Sequence, residues 1–394
     1  MSDWRISVRR NPEEVAKLVG ADSSDLERSP FQRAQWLETW FGSFVSQKPT
    51  EICAATIEDA TTGEPVFVLP LMVEHRGGVV RLKAWDAGVS DYNGPVMSKS
   101  FHPSSDEMRR LWQDMLAKLP KADLIEIEKL PSQIGERDNP LLEVEGVRES
   151  QFHRHPLPLD SDFENLAASR FNPSHRRTLA KKRKKLQNKG KLEFALLDGR
   201  EGLETLERVL DWRAKRFADQ SEATEAAKVA AFYHSLAEHT DIARIGRLTL
   251  EGEIIAGCFG TLTDKTFQLL AVAHNGEFKN WSPGLLAIES SIAQLCADGV
   301  TVYDFTIGSE PYKFDFGVEV EKLFEVKAPL TVKGAAYMGL KRALAWAKRV
   351  EGRSRPMRAR LAAGWRRLGS RIAPRSAEPT VPTAAAANGD GDKE

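Results

Sequence analysis

Hydrophobic residues recur along the chain with two periods, one near 3.6 residues and one of two residues. The helical period is clearest in an aromatic series that follows Ser29-Pro30 and consists of Phe31, Trp36, Trp40, Phe41 and Phe44. This spacing predicts an amphipathic helix that packs on a sheet. Residues 105–118 show the same period and predict a second helix.

Strands in the first half are indicated by short runs rich in Val, Ile and Leu. Residues 51–58, 65–73 and 78–86 form three such runs, and the polar stretch Asp59–Gly63 separates the first two. This arrangement predicts an antiparallel meander. A further strand is expected at residues 122–127, after the second helix.

The second half of the chain repeats this succession of elements more clearly. Helices are predicted at residues 173–188, 201–217, 223–238 and 284–299. Strands are predicted at residues 192–197, 242–250, 253–262, 265–274 and 301–306. Glu251-Gly252 and Thr263-Asp264 are expected to form the turns between the three central strands.

Two successive units of comparable size predict an α+β protein with a duplicated fold, in which mixed and mostly antiparallel sheets are flanked by helices. We place the two units at residues 1–158 and 159–334. Residues 335–372 contain many Lys and Arg together with Trp346 and predict a basic amphipathic helical extension. Residues 373–394 are rich in Pro, Ala, Gly and Ser and predict a disordered tail.

The composition is that of a globular protein, because 41% of the 394 residues are hydrophobic and 28% are charged. Basic and acidic residues number 56 each, so the total charge gives no argument for a nucleic-acid partner. The first residues lack the apolar core of a signal peptide. Apolar runs such as Val66–Val73 are shorter than the roughly 20 residues of a spanning helix, and we expect a cytoplasmic protein.

The three cysteines are Cys53, Cys258 and Cys296, an odd number without CxxC spacing. This pattern argues against a disulfide framework or a structural zinc site and fits a reducing compartment. We expect each cysteine to be a small core residue, with a catalytic thiol as the alternative. Nothing in the sequence calls for a metal.

One candidate binding segment lies at the start of the predicted helix 284–299. Ser282 is suited to the N-cap, Pro283 to the first turn, and Gly284 allows another group to approach the backbone closely. The free amides at a helix N-terminus attract anions. An ordinary capped helix is the alternative interpretation.

A second candidate segment follows the predicted strand 301–306, where glycine and proline indicate a loop. Side chains that follow the end of a strand face a crevice, which makes Asp304, Glu310, Tyr312 and Lys313 candidates for chemistry. The alternative is a surface ion pair between Glu310 and Lys313, with Tyr312 half buried.

The predicted helix 173–188 begins a dense basic run without any acidic residue. Its basic members are Arg176, Arg177, Lys181, Lys182, Arg183, Lys184, Lys185, Lys189 and Lys191. A solvated helix face is the simplest interpretation for most of these lysines. A nucleic-acid surface is unfavoured, because the run lacks interleaved aromatic residues and a recognised binding motif.

Three of these segments resemble the CelD-type, BioF2-like branch of the GNAT superfamily, whose bacterial members are associated with exopolysaccharide synthesis. They are Phe171–Gly190, Ser282-Pro283-Gly284, and the pattern that joins Asp304-Phe305 to Gly308, Glu310 and Tyr312-Lys313. The resemblance covers residues 160–330, and the first half agrees through Phe31, Trp36 and the Asp91-Tyr92 loop. The related Fem-type peptidoglycan aminoacyl ligases contain two GNAT-like units in tandem, which fits the duplicated pattern.

The resemblance implies a GNAT fold that takes acetyl-CoA or another acyl-CoA as co-substrate. In that fold the strand before the helix splays from the strand after it, and the pantetheine lies between them. Leu269–His274 would form the first of these strands and contribute Leu270 and Val272 to the donor site. Ser282, Pro283, Gly284 and Leu285 would hold the pyrophosphate.

The resemblance also suggests roles in catalysis. Tyr312 would donate a proton to the departing thiolate, and Glu310 or Asp304 would take one from the amine. His274 is a further candidate base, at a position where the family often has an aromatic residue followed by aspartate. The acceptor cleft would be lined by Ser174, His175, Arg176, Arg177 and Lys313.

We therefore predict an N-acyltransferase in which an amine attacks the thioester directly, with a hydroxyl acceptor as the less favoured case. Two alternatives stay open. One is transfer of an aminoacyl group from tRNA, as in the Fem-type enzymes, and the other is a non-catalytic scaffold in exopolysaccharide assembly. The basic extension 335–372 could also contact an anionic membrane, which would place the protein at the inner membrane face.

Overall fold

A computed structural model describes residues 4–20, 25–45, 51–215, 220–344 and Trp346. The chain divides into two compact units, Met1–Ala335 and Ala336–Glu394. The described part of the smaller unit is helical and exposes Leu340, Leu344 and Trp346. Most of the predicted extension 335–372 and all of the predicted tail 373–394 lie outside the described residues.

The helices and strands that the sequence pattern predicts are present in the described part of the larger unit, together with further elements that it did not predict. The helices are α1 (Pro12–Gly20), α2 (Ala34–Phe44), α3 (Ser105–Lys118), α4 (Phe163–Arg170), α5 (Pro173–Gln187), α6 (Leu203–Ala214), α7 (Gln220–His239), α8 (Pro283–Ala297) and α9 (Pro311–Asp315). The strands are β1 (Trp4–Arg9), β2 (Leu26–Glu27), β3 (Ile52–Asp59), β4 (Pro65–Arg76), β5 (Val79–Ala84), β6 (Val96–Ser98), β7 (Leu124–Pro131), β8 (Gln133–Ile134), β9 (Arg137–Asp138), β10 (Val147–Arg154), β11 (Pro156–Pro158), β12 (Leu192–Asp198), β13 (Ala243–Leu250), β14 (Glu253–Thr263), β15 (Thr266–His274), β16 (Val302–Asp304) and β17 (Glu321–Pro329). Within the described ranges, every helix is too short or too polar to span a bilayer.

The first sheet has nine strands, with the order β1-β3-β4-β5-β7-β17-β10 and with β2 and β6 paired beside β4. Its β3–β4–β5 portion is antiparallel, which confirms the predicted meander. The last strand of the larger unit, β17, lies between β7 and β10 and is antiparallel to both. The C-terminal half of this unit therefore completes the sheet of its N-terminal half.

The second sheet has the order β11-β16-β15-β14-β13-β12 and is antiparallel except between β15 and β16. Glu251 and Gly252 both have positive φ, as a type I′ hairpin turn requires, so the predicted turn between β13 and β14 is confirmed. The next turn was predicted one residue too early. Asp264 and Lys265 form it, also with positive φ, and Thr263 still pairs within the ladder.

Helix ends follow local capping chemistry. The Ser104 hydroxyl accepts the amide of Glu107 and the Glu107 carboxylate accepts the amide of Ser104, a capping box that starts α3. The Asn172 side chain caps α5, and Pro173 occupies its first turn. These signals explain why the starts of α3 and α5 could be predicted.

Three hydrophobic clusters form the core, and one of them contains residues of both sheets. Trp36 of α2 packs edge-on against Phe232 of α7, with ring centroids 4.8 Å apart. Phe259 of β14 and Ala271 of β15 belong to the same cluster. The predicted aromatic helix is thus confirmed, and it packs against elements of both halves of the unit.

Helices cover both faces of the second sheet. Leucines of α4, α5 and α8 pack on one face, and leucines of α6 and α7 pack on the other. Gly257 of β14 allows α6 to come close, because a Cβ there would lie 2.7 Å from the Thr205 methyl and 2.8 Å from the Val209 methyl. This packing sets the position of β15, the strand on which the candidate site is built.

Candidate active site

The parallel ladder between β15 and β16 is short, and the region beside β15 beyond its end is termed the gap. Their parallel ladder joins Thr266–Gln268 to Val302–Asp304, whereas β15 continues to His274. Gly260 of β14 faces Leu269 and Phe259 faces Ala271, so Leu270 is an extra residue in β15, a β-bulge. Bulges bend a strand and leave the extra residue out of the ladder. The bend begins where the two strands separate.

The turn into α8 lies beside this gap. Ser282 has φ 49° and ψ 51°, a left-handed conformation uncommon for residues other than glycine. Its carbonyl accepts the amides of Leu285 and Leu286, at 3.0 and 3.2 Å. Its hydroxyl caps no helix amide, contrary to expectation, and instead accepts a hydrogen bond from Lys182 Nζ at 2.6 Å.

Gly284 faces the end of β15. A Cβ at this position would lie 3.4 Å from His274 Nδ1 and 3.5 Å from the Val272 Cγ2 methyl. The structure therefore brings Val272, His274 and the Ser282-Pro283-Gly284 turn together, as predicted. Leu270 lies on the opposite face of the strand, with the cluster that contains Ala271 and Ile307.

Two basic side chains, one from α5 and one from the segment that follows it, lie beside the same turn. Lys182 reaches Ser282, and Lys189 Nζ lies 5.0 Å from the ring centroid of Trp281. A lysine over an indole ring is a cation–π contact. With the N-terminal dipole of α8, these ammonium groups make the turn electropositive.

Lys313 of α9 is buried and holds the loop that precedes it. Its Nζ donates to the carbonyls of Ile307 and Gly308, at 2.7 and 3.0 Å, and pairs with Glu310 at 2.9 Å. An ammonium has three protons, and all three are taken by this loop. The geometry thus assigns Lys313 to holding the 307–310 loop, where the sequence had suggested contact with the acceptor.

Tyr312 is half buried against Phe305, with ring centroids 6.3 Å apart. Burial, helped by the negative charge of Glu310, raises the pKa of Tyr312 to about 12. The phenol is therefore protonated at neutral pH, the state that a proton donor needs. Partial burial acts to raise the pKa of Glu310, but the hydrogen bond and charge of Lys313 outweigh it and lower the pKa, which makes Glu310 a weaker base.

Asp304 ends β16 and has no exposed surface. Both of its oxygens accept from the Tyr92 hydroxyl, at 3.0 and 3.1 Å. Arg154 Nε donates at 2.7 Å and the Thr306 amide at 2.9 Å. A carboxylate so enclosed cannot reach an amine, so the structure gives Asp304 the role of a junction between the sheets and not that of the suggested base.

Apart from Lys313, the suggested acceptor residues lie at the start of α5, and they are Ser174, His175, Arg176 and Arg177. This turn adjoins the end of α9, because the Asn172 amide donates to the Asp315 carbonyl at 2.8 Å. His175 Nδ1 lies 3.5 Å from the Asp315 carboxylate, and burial lowers its pKa. Arg176 pairs with Glu164 at 3.5 Å, while Ser174 and Arg177 are exposed. The α5 start is thus near α9, the helix that carries Tyr312.

The structure adds a residue that the sequence indicated only through the family resemblance. Asp91 is partly exposed in the loop 85–95, between β5 and β6. Burial raises its pKa to about 6, against the charge of Lys129 and a hydrogen bond with Thr306, both of which lower it. Arg154, Lys129 and Thr306 had no signal in the sequence, because their roles depend on contacts between distant parts of the chain.

The three cysteines are buried and free, as expected. Burial raises the pKa of Cys53 to about 12 and those of Cys258 and Cys296 to about 11. Thiols in this state are poor nucleophiles at neutral pH. Among the described residues, no three His, Cys, Asp or Glu side chains come together as a metal site.

A separate cleft of about 880 Å³ borders Tyr92 and Arg154. Its charged lining is mixed and comprises Glu27, Arg28, Arg33, Lys99, Glu136, Arg154, Asp264 and Glu321. Because acidic and basic side chains both line this cleft, it does not favour an anionic ligand over a cationic one. The electropositive turn at α8 is the better anion site.

Comparison with known proteins agrees with this geometry. Residues 173–314 match the family model described as an acetyltransferase (GNAT) domain. No curated protein matches the chain. The predicted fold class, a GNAT fold of mixed sheets flanked by helices, is confirmed.

Several solved structures have a similar fold. FemX is 14% identical over 82% of this chain and 97% of its own, with a TM-score of 0.54. A protein of unknown function from Bacteroides thetaiotaomicron is 13% identical over 82% of this chain and 99% of its own, with a TM-score of 0.51. A tandem GNAT protein from the clavulanic acid biosynthesis pathway is 12% identical over 82% and 98%, with a TM-score of 0.44. The likeness to the first two of these structures is evidence of fold alone.

Proposed function

We propose that this chain, which contains a GNAT acetyltransferase domain at residues 173–314, transfers an acyl group from acyl-CoA, in the first place acetyl-CoA, to an amine. The observation that carries this proposal is the gap between β15 and β16, with the electropositive turn of α8 at its side. The gap offers a strand edge to an extended ligand, and the turn offers positive charge to its anionic end.

The strand edge suits the pantetheine arm of CoA. Backbone groups of Leu270–His274, which lie beyond the ladder with β16, would pair with the two amides of the arm. The bulge at Leu270 supports a further role, because an amide left out of the ladder can donate to the thioester carbonyl. Such a donor stabilises the negative charge that develops on the oxygen during attack.

The turn at α8 suits the pyrophosphate. Lys182 and Lys189 supply positive charge there, and Gly284 leaves the backbone accessible. Pyrophosphate oxygens would take over the bond that Lys182 now makes with Ser282. We therefore assign Ser282, Pro283, Gly284 and Leu285 to the donor site.

The reaction proceeds by direct attack. The amine nitrogen bonds to the thioester carbon, the C=O electron pair moves to oxygen, and collapse of the intermediate breaks the C–S bond. Tyr312, protonated at neutral pH, lies in α9, which follows β16 in the chain, and would protonate the leaving thiolate. A hydroxyl acceptor would need a stronger base than an amine does.

The acceptor we propose is an amine of a polysaccharide or cell-envelope precursor. The support is the sequence resemblance together with the basic start of α5 beside α9, which suits a phosphate or carboxylate on the acceptor. Leu340, Leu344 and Trp346 are exposed on a helix that also carries Lys341 and Arg342. This surface supports peripheral contact with an anionic membrane on the cytoplasmic side.

One observation favours a second candidate, aminoacyl transfer from tRNA. Several cations of the α5 segment are exposed, namely Arg177, Lys181, Lys184, Lys185 and Lys189. A surface of this kind binds nucleic-acid phosphates in a salt-dependent manner. This candidate predicts tRNA binding that weakens steeply with salt and no affinity for acyl-CoA.

Calorimetric titration with acetyl-CoA, free CoA and tRNA separates the two candidates. Gly284→Glu places bulk and negative charge at the turn of α8. Gly42→Glu is the matched control, because it makes the same change at an exposed helical glycine with open space around it. We expect micromolar acetyl-CoA binding by the wild type and by Gly42→Glu, and none by a folded Gly284→Glu. Binding of tRNA without any binding of acetyl-CoA would favour the second candidate.

A further inference from the structure

The loop 85–95 of the N-terminal half carries Asp91 to the point where β15 and β16 separate. The Thr306 hydroxyl lies 3.1 Å from the Leu269 carbonyl and within hydrogen-bond reach of the Asp91 carboxylate, and its one proton is donated to one of these two acceptors at a time. Leu269 is the residue immediately before the bulge. One hydroxyl therefore links the Asp91 carboxylate to the strand edge where the thioester would lie.

The loop is held firmly on both sides of Asp91. The preceding residue, Ser90, accepts a hydrogen bond from Trp36 Nε1 at 3.1 Å, and its carbonyl accepts from Lys129 Nζ. The following residue, Tyr92, is buried and donates to Asp304 at the end of β16. Partners from α2, β7 and β16 thus fix the backbone of Asp91, as the positioning of a reacting group requires.

Charged and titratable groups face Asp91 from several elements. Lys129 of β7 acts to lower its pKa, as does the hydrogen bond with Thr306, whereas Asp86 and Asp304 act to raise it. Tyr233 of α7 is near enough for Asp91 to raise its pKa. All three of these charges are already paired, because Lys129 lies 2.6 Å from Asp86 and Arg154 lies 2.7 Å from Asp304.

Burial is the largest influence, and it raises the pKa of Asp91 to about 6. At neutral pH the carboxylate is therefore ionised, and it is a stronger base than an ordinary aspartate. The two other acids near the gap are less suited. Asp304 is enclosed by its hydrogen bonds, and the pKa of Glu310 is lowered by Lys313.

We propose that Asp91, supplied by the N-terminal half, is the general base that deprotonates the acceptor at the acyl-transfer site of the C-terminal half; this rests on the proposed acyltransferase function. Asp91 takes one proton from the acceptor ammonium and passes it to solvent. The neutral nitrogen attacks the thioester, and its second proton leaves when the intermediate collapses. The thiolate gains a proton through Tyr312, so that the reaction yields amide, CoA thiol and one free proton.

The test compares Asp91→Asn with the wild type across pH, with acetyl-CoA as donor and ethanolamine or glucosamine as probe amine. Release of the CoA thiol is measured, and hydrolysis of acetyl-CoA is followed when neither amine reacts, since water also needs a base. We expect a loss of roughly 10²–10⁴-fold in kcat/KM. We also expect the acid limb near pH 6 to disappear, with acetyl-CoA affinity by calorimetry unchanged.

Substitution of two residues near Asp91 should shift the acid limb of the pH profile in opposite directions. Asp86→Asn removes a negative charge and frees Lys129, so the acid limb of the pH profile should move to lower pH. Thr306→Val removes a hydrogen bond that favours the ionised carboxylate, so the limb should move to higher pH. Shifts in the same direction, or none, would contradict the assignment of the limb to Asp91.

A spectroscopic measurement on the wild type makes the test independent of turnover. The protein is labelled with ¹³C at the aspartate carboxyl carbons, and the Asp91 signal is identified by its loss in Asp91→Asn. It should titrate near pH 6 and move when acetyl-CoA is added. If acetyl-CoA binds by calorimetry but leaves this signal in place, or if Asp91→Asn keeps the wild-type profile, Asp91 is not the base. If acetyl-CoA does not bind, the proposed function itself fails.

Discussion

Replacing Arg154 by Met tests the junction that connects the two sheets. Arg154 is the last residue of β10 in the first sheet, and its Nε donates at 2.7 Å to Asp304 at the end of β16 in the second. The Arg154 side chain is 25% exposed and the Asp304 side chain is 0% exposed. Methionine keeps an aliphatic stem of similar length but removes the charge.

The expected cost follows from what the substitution leaves behind. Removing one partner of a buried ion pair usually destabilises a protein by about 3–5 kcal/mol, because the other charge stays buried and unpaired. Here the Tyr92 hydroxyl and the Thr306 amide continue to bond Asp304, and Arg154 keeps some contact with water. We therefore expect a loss at the low end, about 3 kcal/mol.

Urea denaturation of the wild type, Arg154→Met, Asp304→Asn and the double variant measures this loss and the coupling between the two side chains. The double variant should lose less stability than the sum of the single variants by more than about 1 kcal/mol, since residues in one buried network are not additive. A loss below about 1 kcal/mol in Arg154→Met, or an additive double variant, would refute the idea that this pair joins the sheets.

Two further predictions concern a side chain of the site and one far from it. Tyr312→Phe should lower kcat about 10²-fold without changing acetyl-CoA affinity, because the phenol acts only on the leaving thiolate; thiol release and calorimetry check both. Hydrogen bonds from Ser7, Arg5 and Arg9 outweigh burial and hold the pKa of Glu58 below its ordinary 4.5, so its stabilisation is present above about pH 4.5 and lost as the pH falls further. Glu58→Gln should therefore destabilise the protein at pH 7 and have little effect at pH 3, as thermal melts at the two values would show; an equal loss at both would count against the argument.

Much of the fold could be predicted because its determinants are local. The alternation of β13, β14 and β15 and the positive φ of Glu251-Gly252 depend on neighbouring residues only. The starts of α5 and α8 follow from Pro173 and Pro283 in their first turns. The position of the β14–β15 turn was predicted one residue too early. Asp264 and Lys265 both adopt positive φ there, and no glycine indicates it.

The arrangement of the sheets could not be predicted, because it depends on pairings between distant residues. Nothing in the sequence of β17 distinguishes a strand that pairs with β7 and β10 from one that extends the second sheet. The junction at Asp304 is formed by partners 150 and 212 residues away, Arg154 and Tyr92. Buried polar contacts of this kind leave no periodic trace in a sequence.

The candidate site shows the same division. The Ser-Pro-Gly turn at residues 282–284 could be recognised locally, and the structure places it beside Val272 and His274. The polar residues that follow β16 were also recognised. However, the Lys313 ammonium is bonded to carbonyls of the preceding loop, and Asp304 is buried. The proposed role of Asp91 could not be predicted from the sequence. The hydroxyl of Thr306 brings Asp91 and Leu269 together, and this contact depends on the packing of the two halves.

The most direct test of the central claim is hydrogen–deuterium exchange of the protein with and without saturating acetyl-CoA. If the pantetheine pairs with the free edge of β15, amides of Leu269–His274 and of the first turn of α8 should exchange more slowly when the donor is bound. The account is contradicted if acetyl-CoA binds and exchange in these segments is unchanged, or if protection appears only around the cleft beside Tyr92 and Arg154.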